Sequence, residues 1–210
     1  MKTTTRSLFD GVPEAEKAKL DVKYITVPRG TVIYSYGKRA KNACWIIDGS
    51  ARTLRTDENG FVSVIEFLGA KSLFGDYFDG DFVKGDFVEI VATTKCKIAV
   101  IDFEKVEKSD FYTTIAANAL ELVSARLAKF TQRAEILLNR TIREKLMCYF
   151  KKRAAEEGGE SFELKYTLTN LADYIFADRS AMMREIKKMK ESGVIETNKK
   201  TIRLIDVKQK

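Results

Sequence analysis

Arg179 and Arg184 are the side chains whose type and spacing best fit a recognition chemistry. They lie five positions apart in a stretch that predicts a helix, so about one and a half turns separate them, toward its N-terminal half. Arginine donates hydrogen bonds from a planar, permanently charged group, which suits anionic and acceptor-rich partners. Ser180 and Met183 belong to the same predicted face. The four residues indicate a surface that binds by hydrogen-bond donation.

Two helices joined by a tight turn are predicted to position this surface. Thr167 and Asp178 are residue types that cap helix N-termini, and Gly193 can end the second helix in a left-handed conformation. The pattern predicts a helix-turn-helix over 167–195, whose second helix would enter the major groove of DNA. A helical hairpin in an all-α domain is the alternative. The apolar residues at helical spacing are Leu171, Tyr174, Ile175, Met182, Ile186 and Met189.

The residues on either side of the two helices predict a winged unit. A short β-strand is predicted over 162–166, and a β-hairpin over 194–207 has Asn198-Lys199-Lys200 at its tip. Basic elements of this kind can hold phosphates on either side of a groove. The predicted phosphate contacts are Thr167, Thr169, Lys187, Lys188, Lys199 and Lys200.

The positive charge is concentrated in the same segment. Residues 139–210 hold 17 Lys and Arg against 11 Asp and Glu, a net charge of +6, while the whole chain has +7. This distribution favours a polyanionic partner such as double-stranded DNA. A solvated lysine-rich surface would explain the same composition.

The C-terminal residues resemble those of a known family. The stretch SAMMREIKKMKESGVIE (180–196) and the following KKTIRLIDV (199–207) are similar to the C-terminal domain of CRP/FNR-type bacterial transcription regulators. The resemblance implies an α+β protein with an N-terminal cyclic-nucleotide-binding-like antiparallel β-roll, a long dimerisation helix and a C-terminal winged helix-turn-helix. It also implies RNA polymerase as a partner.

The resemblance places Arg179 and Arg184 at the family's two recognition-helix arginine positions, where arginine can donate to guanine O6 and N7. Ser180 stands where the family has a glutamate between them, so the family's usual half-site is not expected. The alternative is that one arginine only pairs with a phosphate or with Glu185.

The N-terminal half has the pattern of a β-domain. From Val22 to Asp102, short runs of β-forming residues alternate with glycine-containing turns, which predicts an antiparallel barrel or sandwich. Asp48-Gly49 and Asn59-Gly60 predict β-hairpins. A short amphipathic helix is predicted over 7–20, with an apolar side formed by Phe9, Val12, Ala15 and Leu20.

This half resembles the family's β-roll, and Phe74-Gly75-Asp76 match its phosphate-binding cassette. The resemblance implies an effector pocket. The arginine–serine pair that holds a cyclic phosphate in the family is replaced by about Asp86 and Phe87, so a cyclic nucleotide is not the expected effector. The predicted pocket residues are Phe74, Gly75, Asp76, Tyr77 and Lys84.

The cassette region is rich in aromatic residues. They favour an organic or lipid-like effector, unless the rings belong to the protein core. The residues concerned are Phe74, Tyr77, Phe78, Phe82 and Phe87.

A long helix without Gly or Pro is predicted from about Tyr112 to Leu138. Its apolar residues follow a heptad repeat, which favours a two-chain coiled coil, although packing on the chain's own β-roll is the alternative. Asn139-Arg140 is the predicted hinge. The predicted domains are therefore 1–108, 109–138 and 139–210. The predicted dimer seam is Ala116, Leu120, Val123, Leu127, Phe130, Ala134 and Leu137.

Histidine is absent, which removes the commonest general base and haem ligand. The three cysteines, Cys44, Cys96 and Cys148, are too few for a four-thiolate iron–sulfur cluster, and a redox role for one of them is an open alternative. Neither cluster nor haem is expected, and an enzyme is not expected either. No apolar run is long enough to span a membrane. The cysteines are far apart and odd in number, which predicts reduced thiols in a cytoplasmic protein.

These features together predict a homodimeric, sequence-specific DNA-binding transcription regulator, controlled by an unidentified small molecule in the β-roll. The alternative is a ligand-sensing module that acts through protein partners without binding DNA.

Overall fold

The structure is a computed structural model, which describes residues 7–36, 42–75, 78 and 87–205. The chain divides into two compact units, 2–129 and 130–210, with the boundary inside the long helix. The predicted α+β fold class is confirmed, while the three predicted domain borders stay predictions.

Within its described residues, the N-terminal unit contains two antiparallel four-stranded sheets. Their strand orders are β1-β8-β3-β6 and β2-β7-β4-β5. The strands are β1 Lys23–Val27, β2 Val32–Ser35, β3 Asn42–Asp48, β4 Ala51–Thr56, β5 Val62–Leu68, β6 Leu73–Phe74, β7 Phe87–Ala92 and β8 Cys96–Asp102.

Apolar side chains fill both faces of the first sheet. Between the sheets, Ile46 and Ile98 of one meet Leu68 and Ile90 of the other. Helix α1, Glu14–Lys19, has no buried residue. Among the described residues, the outer face of the first sheet packs against the N-terminal segment and against helices α2 Phe103–Glu107 and α3 Tyr112–Leu137, which together form the second core of this unit.

The Asp48-Gly49 prediction is wrong, because β3 and β4 belong to different sheets. Gly49, with φ of 98°, lies where the chain passes from one sheet to the other. A Cβ atom there would lie 2.4 Å from the carbonyl oxygen of Lys95, so the close approach requires glycine.

The Asn59-Gly60 hairpin is confirmed, since β4 pairs with β5 around it. An Asp57 carboxylate oxygen accepts hydrogen bonds from the backbone N–H groups of Asn59 and Phe61, each at 2.9 Å. The predicted helix over 7–20 is shorter in the structure, because it begins after Pro13, and Phe9 precedes it.

The C-terminal unit surrounds one core, in which Phe150, Leu171, Met182 and Ile202 are buried. A three-stranded sheet of order β10-β11-β9 closes one side of this core. The elements after α3 are α4 Ile142–Glu157, β9 Ser161–Glu163, α5 Leu168–Tyr174, α6 Arg179–Glu191, β10 Ile195–Asn198 and β11 Thr201–Leu204.

The predicted interruption after the long helix is confirmed. The Asn139 side-chain amide donates to the carbonyl oxygens of Glu135 and Ile136, at 2.9 and 3.1 Å, and so covers the end of α3. Thr141 and Glu144 then form a capping box that starts α4. The sequence interpretation missed this capping box. The role of Asn139-Arg140 as a hinge stays a prediction.

Helix α3 has two apolar faces. Ile115, Ala119 and Leu122 are buried in the core of the N-terminal unit. Leu120 and Leu127, on the predicted seam, are 69% and 62% exposed in the single chain. The buried residues and the two exposed leucines therefore lie on different faces of α3, while Val123 of the predicted seam is partly buried and packs against the core of the N-terminal unit.

Candidate nucleic-acid interface

Helix α6 is positioned by its cap and by its buried side. An Asp178 carboxylate oxygen accepts from the backbone N–H of Ala181 at 2.8 Å, which satisfies one of the free donors at the start of the helix. Met182 and Met189, on the inner side of the helix, are fully buried. The opposite face of the N-terminal half is therefore turned to solvent.

The predicted base-reading residues lie on that solvent face. Arg179, Ser180, Met183 and Arg184 are all exposed. Within the described chain, neither arginine has an ion pair or side-chain hydrogen bond. Glu185 instead pairs with Arg143 of α4, whose Nη1 lies 3.2 Å from the carboxylate. Glu185 is thus engaged by α4, and the structure contains no pair between Arg184 and Glu185.

Helix α5 and the turn after it hold α6 in place. The Thr167 hydroxyl accepts from the backbone N–H of Asn170 at 3.2 Å and caps α5, as predicted. Thr167 and Thr169 are exposed. The turn places Phe176 in the left-handed region, with φ of 51°. Sequence reasoning missed this residue because no glycine or asparagine marks the position.

The predicted wing is the β10–β11 hairpin. Asn198 pairs with Thr201, which leaves Lys199 and Lys200 as an exposed two-residue tip. Lys199 has a φ of 51°, a conformation that bulky residues adopt at some cost.

The remaining predicted phosphate contacts, Lys187 and Lys188, are exposed on α6. Lys187 lies 3.8 Å from Glu191 in a solvent-exposed ion pair. Such pairs contribute little to stability, so this lysine can exchange its partner for a phosphate at small cost.

The predicted effector residues are only partly described. Phe74 is buried between the sheets, with its ring 6.1 Å from that of Tyr34. Gly75 has a φ of 123°, and a Cβ atom there would lie 2.4 Å from the carbonyl oxygen of Asn42. Asp76, Tyr77 and Lys84 lie outside the described residues. The pocket assignment therefore stays a prediction.

The other aromatic residues of the cassette region behave differently from one another. Phe78 packs edge-on against Phe103, 5.0 Å between ring centroids, while Phe87 is 53% exposed. Phe82 and Asp86 lie outside the described residues. Phe78 thus belongs with the core in this structure.

An ion pair that sequence reasoning missed lies inside the N-terminal unit. Arg126 of α3 donates to the Glu66 carboxylate of β5, with Nη2–Oε2 at 2.7 Å, and to the carbonyl oxygen of Leu73 at 3.0 Å. Both charged side chains are largely buried. Thr53 lies opposite Glu66 on β4, and its buried hydroxyl has no hydrogen-bond partner among the described residues. No local pattern could reveal a pair that is separated by 60 residues.

Two family models match the chain in the order that this architecture requires. The cyclic nucleotide-binding domain matches residues 24–109, and the Crp-like helix-turn-helix domain matches residues 134–209. The chain belongs to the CRP/FNR family of transcription regulators. It is therefore a DNA-binding transcription regulator with an effector-binding N-terminal domain.

Individual CRP/FNR proteins are similar to this chain over most of their length. The CRP-like protein Clp of Xanthomonas euvesicatoria pv. vesicatoria is 22% identical over 188 residues, which cover 83% of this chain and 80% of Clp. The cAMP-activated global transcriptional regulator CRP of Haemophilus influenzae is 25% identical, with the same coverage. The solved structure of the c-di-GMP responsive regulator CLP of Xanthomonas campestris has a TM-score of 0.63 at 20% identity, and the match covers 92% of this chain and 98% of that one.

The comparisons offer no support for the alternative of a ligand-sensing module that does not bind DNA. Among the described residues of this CRP/FNR regulator, no helix is long and apolar enough to cross a membrane. The same residues contain no group of three or more His, Cys, Asp or Glu side chains placed to hold a metal ion.

Proposed function

We propose that this CRP/FNR regulator reads a double-stranded operator by inserting the N-terminal half of α6 into the major groove. The observation that supports this most directly is the pair Arg179 and Arg184, exposed and without a partner among the described residues. Neither forms an ion pair within the described part of the chain, and the neighbouring Glu185 is held by Arg143. A guanidinium in this state can donate to guanine O6 and N7 without first breaking an ion pair. The proposed base-reading residues are Arg179, Ser180, Met183 and Arg184.

Phosphates on either side of the groove would be held by exposed hydroxyl and ammonium groups. Thr167 accepts with its oxygen to cap α5, so its hydroxyl hydrogen is free to donate to a phosphate oxygen. Lys199 and Lys200 lie at the tip of the wing, where both can approach the backbone. The full proposed set is Thr167, Thr169, Lys187, Lys188, Lys199 and Lys200.

The protein would bind as a homodimer through α3. Leu120, Leu127 and Phe130 are exposed in the single chain and follow heptad spacing. Large apolar side chains in such a row lose contact with water when a second copy of the helix packs against them. The proposed seam is Ala116, Leu120, Val123, Leu127, Phe130, Ala134 and Leu137.

The effector would be a small molecule other than a cyclic mononucleotide, bound near Phe74, Gly75, Asp76, Tyr77 and Lys84. CRP of Haemophilus influenzae is cAMP-activated and CLP of Xanthomonas campestris is c-di-GMP responsive. In this chain Arg126 is engaged with Glu66, so a phosphate that used this arginine would leave a buried carboxylate unpaired. Calorimetric titration with cyclic AMP and cyclic GMP should detect no micromolar binding. Stoichiometric binding of either would contradict this part of the proposal.

The finer attributes of the family follow as proposals. The protein would act in the cytoplasm, would contact RNA polymerase and would have no enzymatic activity. The three cysteines are free thiols, which supports the cytoplasmic location. The lack of histidine, the commonest general base, supports a non-enzymatic role.

Selection of bound fragments from random-sequence DNA by the unaltered protein tests the proposed function and defines the operator. Arg184→Ala should then cost about 1–3 kcal/mol of binding free energy on the operator and much less on random DNA. Lys188→Ala is the matched control from the same helix, and it should weaken binding to both DNAs alike. If no sequence is enriched, or if the Arg184→Ala protein keeps full affinity and discrimination, the assignment of α6 fails.

A further inference from the structure

Arg133 is a buried arginine that the proposed DNA contacts do not use. It lies near the end of α3, is 5% exposed, and belongs to the same compact unit as the helix-turn-helix. Its Nε donates to the carbonyl oxygen of Tyr174 at 2.9 Å, and its Nη2 donates to that of Asp173 at 3.2 Å. The guanidinium carbon also lies 5.4 Å from the centroid of the Tyr174 ring.

The two carbonyl groups end helix α5. The last carbonyls of a helix have no partner within it and carry its partial negative charge, so a cation there is favourable. Hydrogen bonds from a charged donor are also stronger than those between neutral groups. Arg133 is therefore placed to fix the final turn of α5 with both charge and geometry.

The turn that follows needs such support. The N–H of Phe176 donates to the Asp173 carbonyl at 3.3 Å, and the N–H of Ala177 donates to the Ala172 carbonyl at 3.0 Å. This is the hydrogen-bond pattern of a Schellman turn, whose left-handed position is usually glycine. Here that position is Phe176, 61% exposed and with φ of 51°, so the backbone conformation is strained and the ring contributes little burial.

We propose that Arg133 is a positioning residue for DNA binding, which holds the strained turn between α5 and α6 and so sets the direction of the recognition helix. The inference rests on the proposed function of α6, but it assigns a role to a residue that contacts no DNA. Asp178, the N-cap of α6, lies two residues after Phe176, so a shift in the turn moves Arg179 and Arg184 together.

The test compares Arg133→Met with Lys129→Met, which removes the same charge from an exposed position on the same helix. Affinity is measured on the DNA fragments selected by the unaltered protein. Arg133→Met should weaken operator binding by about tenfold or more, because two charge-assisted hydrogen bonds are lost, and Lys129→Met should change it little. Equal affinities of the Arg133→Met and unaltered proteins would overturn the proposal while leaving the proposed function intact. If no fragment is selected, the proposed function itself fails.

A second substitution separates positioning from general stability. Glycine adopts the left-handed conformation without strain, so Phe176→Gly should make the turn independent of Arg133. In the Arg133→Met background it should recover most of the lost affinity, whereas in the unaltered background it should not raise affinity. A double-mutant cycle corrects for any direct contribution of the Phe176 ring. If Phe176→Gly changes affinity by the same factor in both backgrounds, Arg133 does not act through the turn.

Hydrogen exchange at the Phe176 and Ala177 amides gives a direct readout of the turn. If Arg133→Met fails to fold, Arg133→Lys keeps the buried charge but loses the planar pair of donors, and it serves instead. We expect faster exchange at these two amides and weaker operator binding, with unchanged exchange in the core of α4. Protection of both amides equal to that of the unaltered protein would refute the positioning role.

Discussion

The three cysteines differ in how deeply their thiols are buried. Burial raises the pKa of Cys44 to about 12, and burial also raises the pKa of Cys96, whose Sγ lies 3.2 Å from the carbonyl oxygen of Ser50. Cys148 is only half-buried. Since the thiolate is the reactive form, the two buried cysteines are poor candidates for redox chemistry near neutral pH.

Iodoacetamide near neutral pH should therefore modify Cys148 in the folded protein and spare Cys44 and Cys96. A raised pKa depletes the thiolate below that pKa, so Cys44 should gain reactivity only as the pH approaches about 12 or when the protein unfolds. Mass spectrometry of peptides locates the label. The Cys148→Ser protein is the control and should take up almost none, and rapid labelling of Cys44 in the folded state would contradict the prediction.

Base reading and phosphate binding can be separated at single positions. Among the described residues Arg184 has no partner to give up, whereas Lys187 forms an ion pair with Glu191 at 3.8 Å. The first is expected to discriminate between sequences and the second to add affinity alone. The Ser180 position should alter the preferred half-site, because a hydroxyl both donates and accepts where a carboxylate only accepts.

Among the elements, the wing is the one whose contribution should be purely electrostatic. Its strands pair in register from Ile195–Leu204 to Asn198–Thr201, and β9 extends the sheet on the other side of β11. The hairpin is therefore anchored in the core of its unit, and its two lysines project from a fixed frame. The paired strands therefore fix the position of the two lysines, and the two-residue tip contains no apolar side chain.

Replacing the tip charges should weaken binding to the operator and to random DNA by the same factor. Lys199→Gly removes the charge and suits the left-handed backbone, and Lys200→Ala removes the second charge. Each should lower the slope of log affinity against log salt by about 0.9, as expected for one lost phosphate contact. Titrations over a range of salt concentrations measure this slope. The control is Lys108→Ala in the N-terminal unit, and a loss of discrimination in the Lys200→Ala protein would instead indicate base contact.

For the whole protein, assembly is the property on which DNA recognition depends. Two recognition helices read half-sites about one helical turn apart only if a dimer holds them at a fixed spacing. We propose that the exposed row on α3 packs against a second copy of the chain. An effector would act by shifting the population of dimers with the correct spacing, through the segment around Asn139.

Charged residues in that row should produce monomers. Leu127→Glu combined with Phe130→Glu would bury unpaired carboxylates in the interface, which costs several kcal/mol for each charge. Light scattering at micromolar concentration should then give the mass of one chain, against two for the unaltered protein. Leu138→Glu is the matched control, because Leu138 is 82% exposed and lies off the heptad positions. A monomeric unaltered protein would contradict the proposed seam.

Local signals in the sequence were sufficient for most of the helices and strands. Thr167 and Asp178 cap α5 and α6 through bonds to residues three positions later, so neighbouring residues decide them. The heptad repeat and the charge of the C-terminal segment are likewise properties of the residues alone. Local signals of this kind, such as capping residues, apolar spacing and turn residues, predicted the helix-turn-helix, the wing and the exposed arginines.

Contacts between distant residues decided the rest. Whether Asp48-Gly49 closes a hairpin or passes between sheets depends on where β8 and its neighbours pack, and the local turn signal is the same in both cases. The partners of Arg126, Arg133 and Arg143 lie 40 or more residues away along the chain. A buried arginine selects its partner from whatever carbonyl or carboxylate packing brings within about 3 Å. Only the folded chain therefore shows which arginines hold the protein together and which are free for DNA.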